Sequence, residues 1–330
     1  MIISIGTILI FMVTFYLISN GKVKLFVSKV DVIAPVINLS SKEVQIYKGQ
    51  DIKFEDYVKD IVDNRDSAPS LAIEKGNFNS NVIGIYEIKY HVKDAYNNET
   101  VEKLKVQVKA NPDNVKHPEG EEKIAWLTFD DGPSSNTEAV IDILDKYNVK
   151  ATFFVTGANP NYYYLIKEAN DRGHAIGLHT YSHRYESLYK SEEAFYNDLN
   201  GIAEIVKEQI GFVPTIIRFA GGSSNTVSKN YNEGIMNRLV VNVEEKGYRY
   251  FDWNCINGDG GQAMNHEELI EMLEETTENK QFAMLLFHDG SHNSKTVETL
   301  EESIQYLLNE GYVFRLVDGE TYGFLHQVNN

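Results

Sequence analysis

The sequence predicts an α/β fold: a distorted (β/α) barrel of about seven units over residues 123–330, preceded by a small all-β sandwich over residues 31–110 and an N-terminal transmembrane helix over residues 1–20. Three observations predict it. Residues 1–20 carry no charged side chain. Residues 31–110 hold short segments of alternating polarity separated by turn residues. From Lys123 onward, short apolar runs alternate with segments of helical spacing.

The N-terminal run, MIISIGTILIFMVTFYLISN, is close to the ~20 apolar residues that span a bilayer as a helix. It lacks the basic start and the small-residue cleavage site of a signal peptide, and no lipid-accepting cysteine follows it. The expectation is therefore an uncleaved anchor. Lys22, Lys24 and Lys29 follow the run, and the positive-inside rule would hold them in the cytoplasm. An external domain is expected nonetheless, because large domains translocate despite such charge.

Within residues 31–110, Ile85–Val92 and Val101–Val108 alternate, and Asp94–Asn98 reads as the connection between them. An earlier run, Val44–Phe54, is interrupted at Lys48-Gly49. The pattern, with its APVI opening and GIYEIKYHVKDAYNN segment, resembles the bacterial Ig-like repeats of surface proteins. That resemblance implies a spacer, and its charged residues read as a solvated face. Residues 111–122, with Pro112, Pro118 and Gly120, read as a linker.

The barrel follows from strands at Ile124–Phe129, Ala151–Val155, Ala175–Leu178, Thr215–Phe219, Tyr248–Trp253, Phe282–Phe287 and Tyr312–Leu316. Helices are expected at Asn136–Tyr147, Ser191–Gln209, Asn232–Lys246, His266–Glu278 and Lys295–Glu310. Barrel enzymes carry their reactive residues at the C-terminal ends of strands. Here Asp130-Asp131, His179 with His183, Arg218, Asp252 and His288 all stand at such ends.

Composition narrows the function. Lys and Arg total 31 against 48 Asp and Glu, a net charge of −17, which disfavours nucleic acid as a partner because phosphate contacts depend on basic residues. A neutral acetylated glycan meets no such repulsion. The single cysteine, Cys255, excludes an intramolecular disulfide.

Two adjacent carboxylates at a strand end are stable together when a cation lies near. Two histidines four apart can face one way on a helical turn and share an ion. Two histidines and one carboxylate leave a tetrahedral position open for water, the arrangement of hydrolytic zinc. Thr128-Phe129-Asp130-Asp131-Gly132-Pro133 and His179-Thr180-Tyr181-Ser182-His183 together resemble the first two motifs of the NodB-type polysaccharide deacetylases, carbohydrate esterase family 4. The resemblance runs from about Lys123 to Leu316.

It implies that Asp131, His179 and His183 bind a divalent metal, Zn²⁺ by expectation, with Co²⁺ or Ni²⁺ also accommodated. Asp130 would be the general base, paired with Arg218, and His288 the general acid, oriented by Asp252. Trp253 and Leu286 would line the pocket for the acetyl methyl group. The backbone N–H of Gly221 would hold the oxyanion, an interaction worth ~3–4 kcal/mol. The third motif departs from the family pattern: Arg218-Phe219-Ala220-Gly221-Gly222 lacks its proline and its aromatic, so the loop should be looser and the groove short of one wall. The expected reaction is N-deacetylation of a β-linked N-acetylhexosamine polymer, peptidoglycan GlcNAc above all. The alternatives are an O-acetyl esterase on xylan or a wall polymer, and an inactive glycan-binding module.

Overall fold

The computed structural model describes residues 12–19, 22–261 and 264–330, residues 12–29 by their backbone alone. Two strands, β1 (Met12–Ser19) and β2 (Lys22–Lys29), pair antiparallel. Among the described residues, the expected transmembrane helix over residues 1–20 is not found. Residues 1–11 and 20 lie outside the described residues, and among those described no helix is long and apolar enough to cross a membrane. Where that span is described, it forms β1, whose Val-Thr-Phe-Tyr run suits a strand as well as an apolar helix.

Six further strands follow: β3 (Val36–Leu39), β4 (Glu43–Tyr47), β5 (Val58–Val62), β6 (Ser70–Glu74), β7 (Gly84–Lys93) and β8 (Glu99–Lys109). β3 pairs antiparallel with β5, and the other four form a sheet in the order β4-β8-β7-β6. The all-β expectation holds here. β7 alternates buried and half-buried residues along its length, which is the period-2 signal seen in the sequence.

The chain divides into two compact units, and the division departs from the boundary read at residue 110. One unit takes in residues up to 44, 52–76 and 87–105; the other takes in 45–51, 77–86 and 106–330. Strands β4, β7 and β8 each give residues to both. In the first unit, Ile37, Phe54, Ile88, Tyr90, Val92 and Leu104 are buried, and the Tyr90 hydroxyl donates to Phe54 O at 2.9 Å.

The second unit is α/β. Its strands are β9 (Lys123–Asp130), β10 (Thr152–Thr156), β11 (Ala175–Thr180), β12 (Ile216–Ile217), β13 (Arg249–Tyr250), β14 (Cys255–Ile256), β15 (Phe282–His288) and β16 (Tyr312–Phe314). They form one curled parallel sheet in the order β13-β12-β11-β10-β9-β15-β14. β16 joins β9 along Lys123–Ala125, on the half of β9 that β10 leaves free, since β10 pairs Thr128–Asp130. The barrel read from the sequence is thus an eight-stranded half-barrel.

The helices are α1 (Thr137–Lys146), α2 (Tyr164–Asp171), α3 (Tyr185–Leu188), α4 (Glu192–Ile210), α5 (Ile235–Glu245), α6 (His266–Thr277) and α7 (Ser294–Asn309). α4 begins where Ser191 caps the Ala194 N–H, and it ends at Gly211 in the left-handed conformation. α6 opens with a reciprocal capping box between Asn265 and Glu268. The five expected helices are present; α2, α3 and β14 were not read, being short segments without a clear period. The core centres on Phe129, Phe153 and Phe287, stacked from β9, β10 and β15.

Candidate active site

β9 and β15 run side by side, with His288 in register with Asp130. Their long buried runs carry two of the reactive groups to the carboxyl end of the sheet. β11 brings His179 to the same end, and β12 leads into Arg218. A cavity of about 520 Å³ opens there, lined by Asp130, His179 and His288 with Asp131, His183, Gly221, Trp253 and Leu286.

The cation-binding set fits the requirement of a divalent ion. Asp131 Oδ1 stands 3.6 Å from His179 Nε2 and 3.4 Å from His183 Nε2, and it is buried without a hydrogen-bond partner. Such an orphaned oxygen facing two imidazoles lacks only a cation. His179 Nδ1 lies 2.7 Å from the Arg218 carbonyl, which can only accept, so Nδ1 carries the proton and Nε2 is the free donor atom. His183 is held below its ordinary pKa by burial and by the neighbouring His179, against the charges of Asp131 and Asp130, and so it too offers a lone pair. The two histidines do not share a helical turn, as the spacing suggested. His179 is in β11, and His183 lies in the loop before α3 with φ +50°. Asp131 is also left-handed, φ +73°. Backbone strain of this kind persists where surrounding contacts impose it. Asp198 of α4 supplies some of them, accepting from the N–H groups of Tyr181 and Ser182 at 2.6 and 3.1 Å.

Arg218 is fully buried and joins the site's carbonyls to its base. Nη1 donates to Asp130 Oδ1 at 2.9 Å and to Thr128 Oγ1 at 2.7 Å. Nε donates to Phe251 O at 2.9 Å and Nη2 to Asp252 O at 3.1 Å. The expected Asp130–Arg218 pair is therefore present, and Asp130 Oδ2 is left toward His179, 3.9 Å from its Nε2.

The partner of His288 is Asp259, not Asp252. His288 Nδ1 lies 2.8 Å from Asp259 Oδ1, and the His288 N–H donates to Asp259 Oδ2 at 2.7 Å. Thr296, in the first turn of α7, donates to the same Oδ2 at 2.7 Å. Burial works against protonation of His288. The hydrogen bond and charge of Asp259, helped by Asp130 and Asp131, outweigh it and raise the imidazole to about 9. Gly260 follows because a Cβ there would overlap the His288 ring.

Asp252 does something else. It is fully buried, and its carboxylate accepts from the Ser223 N–H at 2.8 Å and from the His326 N–H at 2.9 Å. It fixes the third-motif loop and the C-terminal segment, where His326 packs edge-on against Trp253 at 4.8 Å. The sequence reading confused the two carboxylates because Asp252 directly follows an apolar run, whereas β14 is only two residues long. The available signal was the Gly258-Asp259-Gly260-Gly261 loop, a carboxylate among glycines.

Two further residues escaped the sequence. Asp289 is buried, accepts from the Thr137 hydroxyl, and is raised to about 7 by burial despite that bond, with Asp131 and Asp130 adding to the rise. Its backbone N–H donates to Asp130 O at 3.0 Å, which braces the turn after β9. Tyr185 lines the cavity, edge-on to His183 at 5.8 Å. Gly221 has φ +75°, and a Cβ there would overlap the Tyr185 hydroxyl. The wall expected to be missing beside Gly221 is supplied by this ring from the start of α3.

Comparison with known proteins agrees with this geometry. Residues 117–237 match a family model described as polysaccharide deacetylase, which ends before Asp259 and His288. A peptidoglycan-N-acetylglucosamine deacetylase of Bacillus cereus is 33% identical over 204 residues, 58% of this chain and 85% of that protein. One from Listeria monocytogenes is 32% identical over 222 residues, 64% of this chain and 42% of that protein. Among solved structures, the catalytic domain of peptidoglycan N-acetylglucosamine deacetylase from Eubacterium rectale aligns with TM-score 0.62 at 41% identity, covering 64% of this chain and 96% of that one.

Proposed function

Because the chain belongs to the polysaccharide deacetylase family, we propose that it hydrolyses N-acetyl groups on the N-acetylglucosamine of peptidoglycan and releases acetate. Enzymes of this family are hydrolases that use a divalent metal. Zinc is the proposed ion, and the same donor set accommodates cobalt or nickel.

The observation that carries the reading is an acid and a base lining one cavity with the cation-binding set. When bound by Asp131, His179 and His183, a divalent ion supplies an acidified water and a polarised acetyl carbonyl. Asp130, held through Oδ1 by Arg218, takes a proton from the attacking water. His288 has its Nδ1 engaged by Asp259, so its Nε2 faces the cavity and delivers a proton to the departing amine. An amide nitrogen must be protonated to leave, and an imidazole raised to about 9 carries that proton at neutral pH. Trp253 and Leu286 offer apolar wall for the acetyl methyl group, and Gly221 offers a backbone N–H for the oxyanion.

We further place the enzyme at the cell membrane, facing the wall. The charge-free sequence of residues 1–20 supports an anchor, although its described part, Met12–Ser19, pairs as a strand, and the resemblance of residues 31–110 to Ig-like repeats supports a spacer that lifts the catalytic unit toward its polymer.

The test is acetate release from purified peptidoglycan with and without chelator. Release abolished by chelator and restored by zinc is expected. Asp130→Asn should lower release about 10²–10⁴-fold while metal content stays at wild-type level. Release from O-acetylated glycans alone would replace this reading with an esterase. Bound metal without release from any acetylated glycan would replace it with a glycan-binding module.

A further inference from the structure

We propose that the first unit binds a calcium ion at Asp31, Asp63 and Asp94. These residues come from three separate places in the chain: ahead of β3, directly after β5 and directly after β7. One carboxylate oxygen from each lies within 4.8 Å of the others. Asp31 and Asp94 are only 4% and 6% exposed, although the sequence reads the charged residues of this region as a solvated face.

Each carboxylate is fixed by donors from its own loop, and Asp31 also by Asn64 from the loop of Asp63. Asp31 Oδ1 accepts from the Ile33 N–H at 3.1 Å and from Asn64 Nδ2 at 3.2 Å. Asp63 Oδ1 accepts from the N–H groups of Arg65 and Asp66 at 2.9 and 2.6 Å. Asp94 Oδ1 accepts from those of Tyr96 and Asn98, both at 2.8 Å, and its Oδ2 from Asn98 Nδ2 at 2.7 Å. Turn formation accounts for these bonds except that of Asn64, which joins two of the loops.

It does not account for the remaining oxygens. Asp31 Oδ2 and Asp63 Oδ2 are both buried with no hydrogen-bond donor. Arg65 Nε forms a long ion pair with Asp31 Oδ2 at 3.9 Å, beyond hydrogen-bonding distance, so that oxygen keeps no donor. An unsatisfied carboxylate oxygen is costly to bury, and two of them beside a third carboxylate add like-charge repulsion. A cation among the three relieves both.

The donors decide which cation. All are oxygens, with no histidine or thiolate among them, which selects a hard ion. Three carboxylates from separate loops suit the higher and more adaptable coordination of calcium; magnesium demands a near-ideal octahedron. Asp63 is half-buried, which leaves an open side for water to complete the shell. The ion would tie the segment ahead of β3 to two distant loops of the first unit. This site shares no residue with the catalytic centre and does not depend on the proposed reaction.

The experiment uses the full chain with its histidine site saturated by zinc. Equilibrium dialysis against radiolabelled calcium should give one ion per chain with a dissociation constant of about 10⁻⁴–10⁻³ M, as for oxygen-only modules outside the cell. Asp31→Asn/Asp63→Asn should bind at least about tenfold more weakly, with unchanged far-UV circular dichroism and zinc content. Should that variant fail to fold, the wild-type chain decides: calcium, and not equimolar magnesium, should raise its melting temperature and slow proteolysis within residues 31–105. No calcium uptake at ~10 mM, well above the expected dissociation constant, uptake undiminished in a folded double variant, or equal protection by magnesium would each overturn the proposal.

Discussion

Replacing Asp259 by Asn should move the alkaline limb of the pH–activity profile, and the structure sets the size of the shift. His288 is protonated up to about 9 because Asp259 bonds and charges it against the effect of burial. The amide introduced by Asp259→Asn could still accept from Nδ1 but would carry no charge. With burial then opposed only by the charges of Asp130 and Asp131, the imidazole should fall back toward its ordinary value of 6.5. The sign follows from the role: the acid works when protonated, so activity fails as pH rises through its pKa. Near pH 8, about 90% of the wild-type imidazole is protonated against roughly 3% in the variant, a ~30-fold deficit or ~2 kcal/mol of barrier. Near pH 6 both are largely protonated, and only the loss of orientation remains. A cation beside Asp131 would lower both limbs alike and leave the gap between them. The assay is acetate release from N-acetylglucosamine oligomers between about pH 6 and 10, a range that brackets both values, with Asp252→Asn alongside. The wild-type to Asp259→Asn ratio should widen by more than about tenfold from pH 6 to 8, while Asp252→Asn keeps the wild-type limb. A ratio constant with pH, or a limb moved by Asp252→Asn instead, would refute the assignment.

Two other substitutions probe the scaffold of the site. Arg218→Met strands Asp130 as a buried charge and frees Phe251 O and Asp252 O; breaking a buried pair from one side costs about 3–5 kcal/mol, or roughly 6–20 °C in the melting temperature of a unit this size. A thermal melt within about 2 °C of wild type would contradict the central place given to this guanidinium. Gly221→Phe, which restores the family's aromatic, should lower both stability and activity, because the left-handed backbone alone costs about 1–2 kcal/mol and the new Cβ overlaps the Tyr185 hydroxyl. Adding Tyr185→Ala should recover part of the stability in calorimetry, since it removes the overlap and leaves the backbone strain.

What the sequence revealed depended on strand length. β9 and β15 are eight and seven residues long and almost wholly buried, so their apolar runs are unmistakable and Asp130, Asp131 and His288 stand visibly at their ends. β12, β13 and β14 have two residues each. Arg218 was still placed correctly after β12, with its motif pattern to support it. Between β13 and β14 a strand-end argument cannot choose among nearby carboxylates. Asp252, with an apolar run before it and a tryptophan after it, is the one the sequence favours. The fold uses its carboxylate to hold Ser223 and His326, and brings Asp259 to the imidazole from the next loop.

The same limit explains Tyr185 and the aspartate cluster. Tyr185 fills space beside Gly221 from 36 positions earlier in the sequence, so the altered third motif looked like a missing wall. Asp31, Asp63 and Asp94 are each about thirty residues from the next, and each looks like an ordinary turn residue where it stands. The histidine pair is the instructive contrast. His179 and His183 are only four apart in the sequence, yet they do not share the helical turn that this spacing suggests. The pair converges because a strand ends at Thr180 and His183 takes a left-handed backbone, with Asp198 of α4 holding the loop between. Spacing therefore identified the donors without identifying what holds them. If the convergence rests on that loop, Asp198→Ala should weaken zinc binding in a competition titration against a chelator, although Asp198 touches no ligand side chain; an unchanged affinity would leave the loop held by something other than this carboxylate.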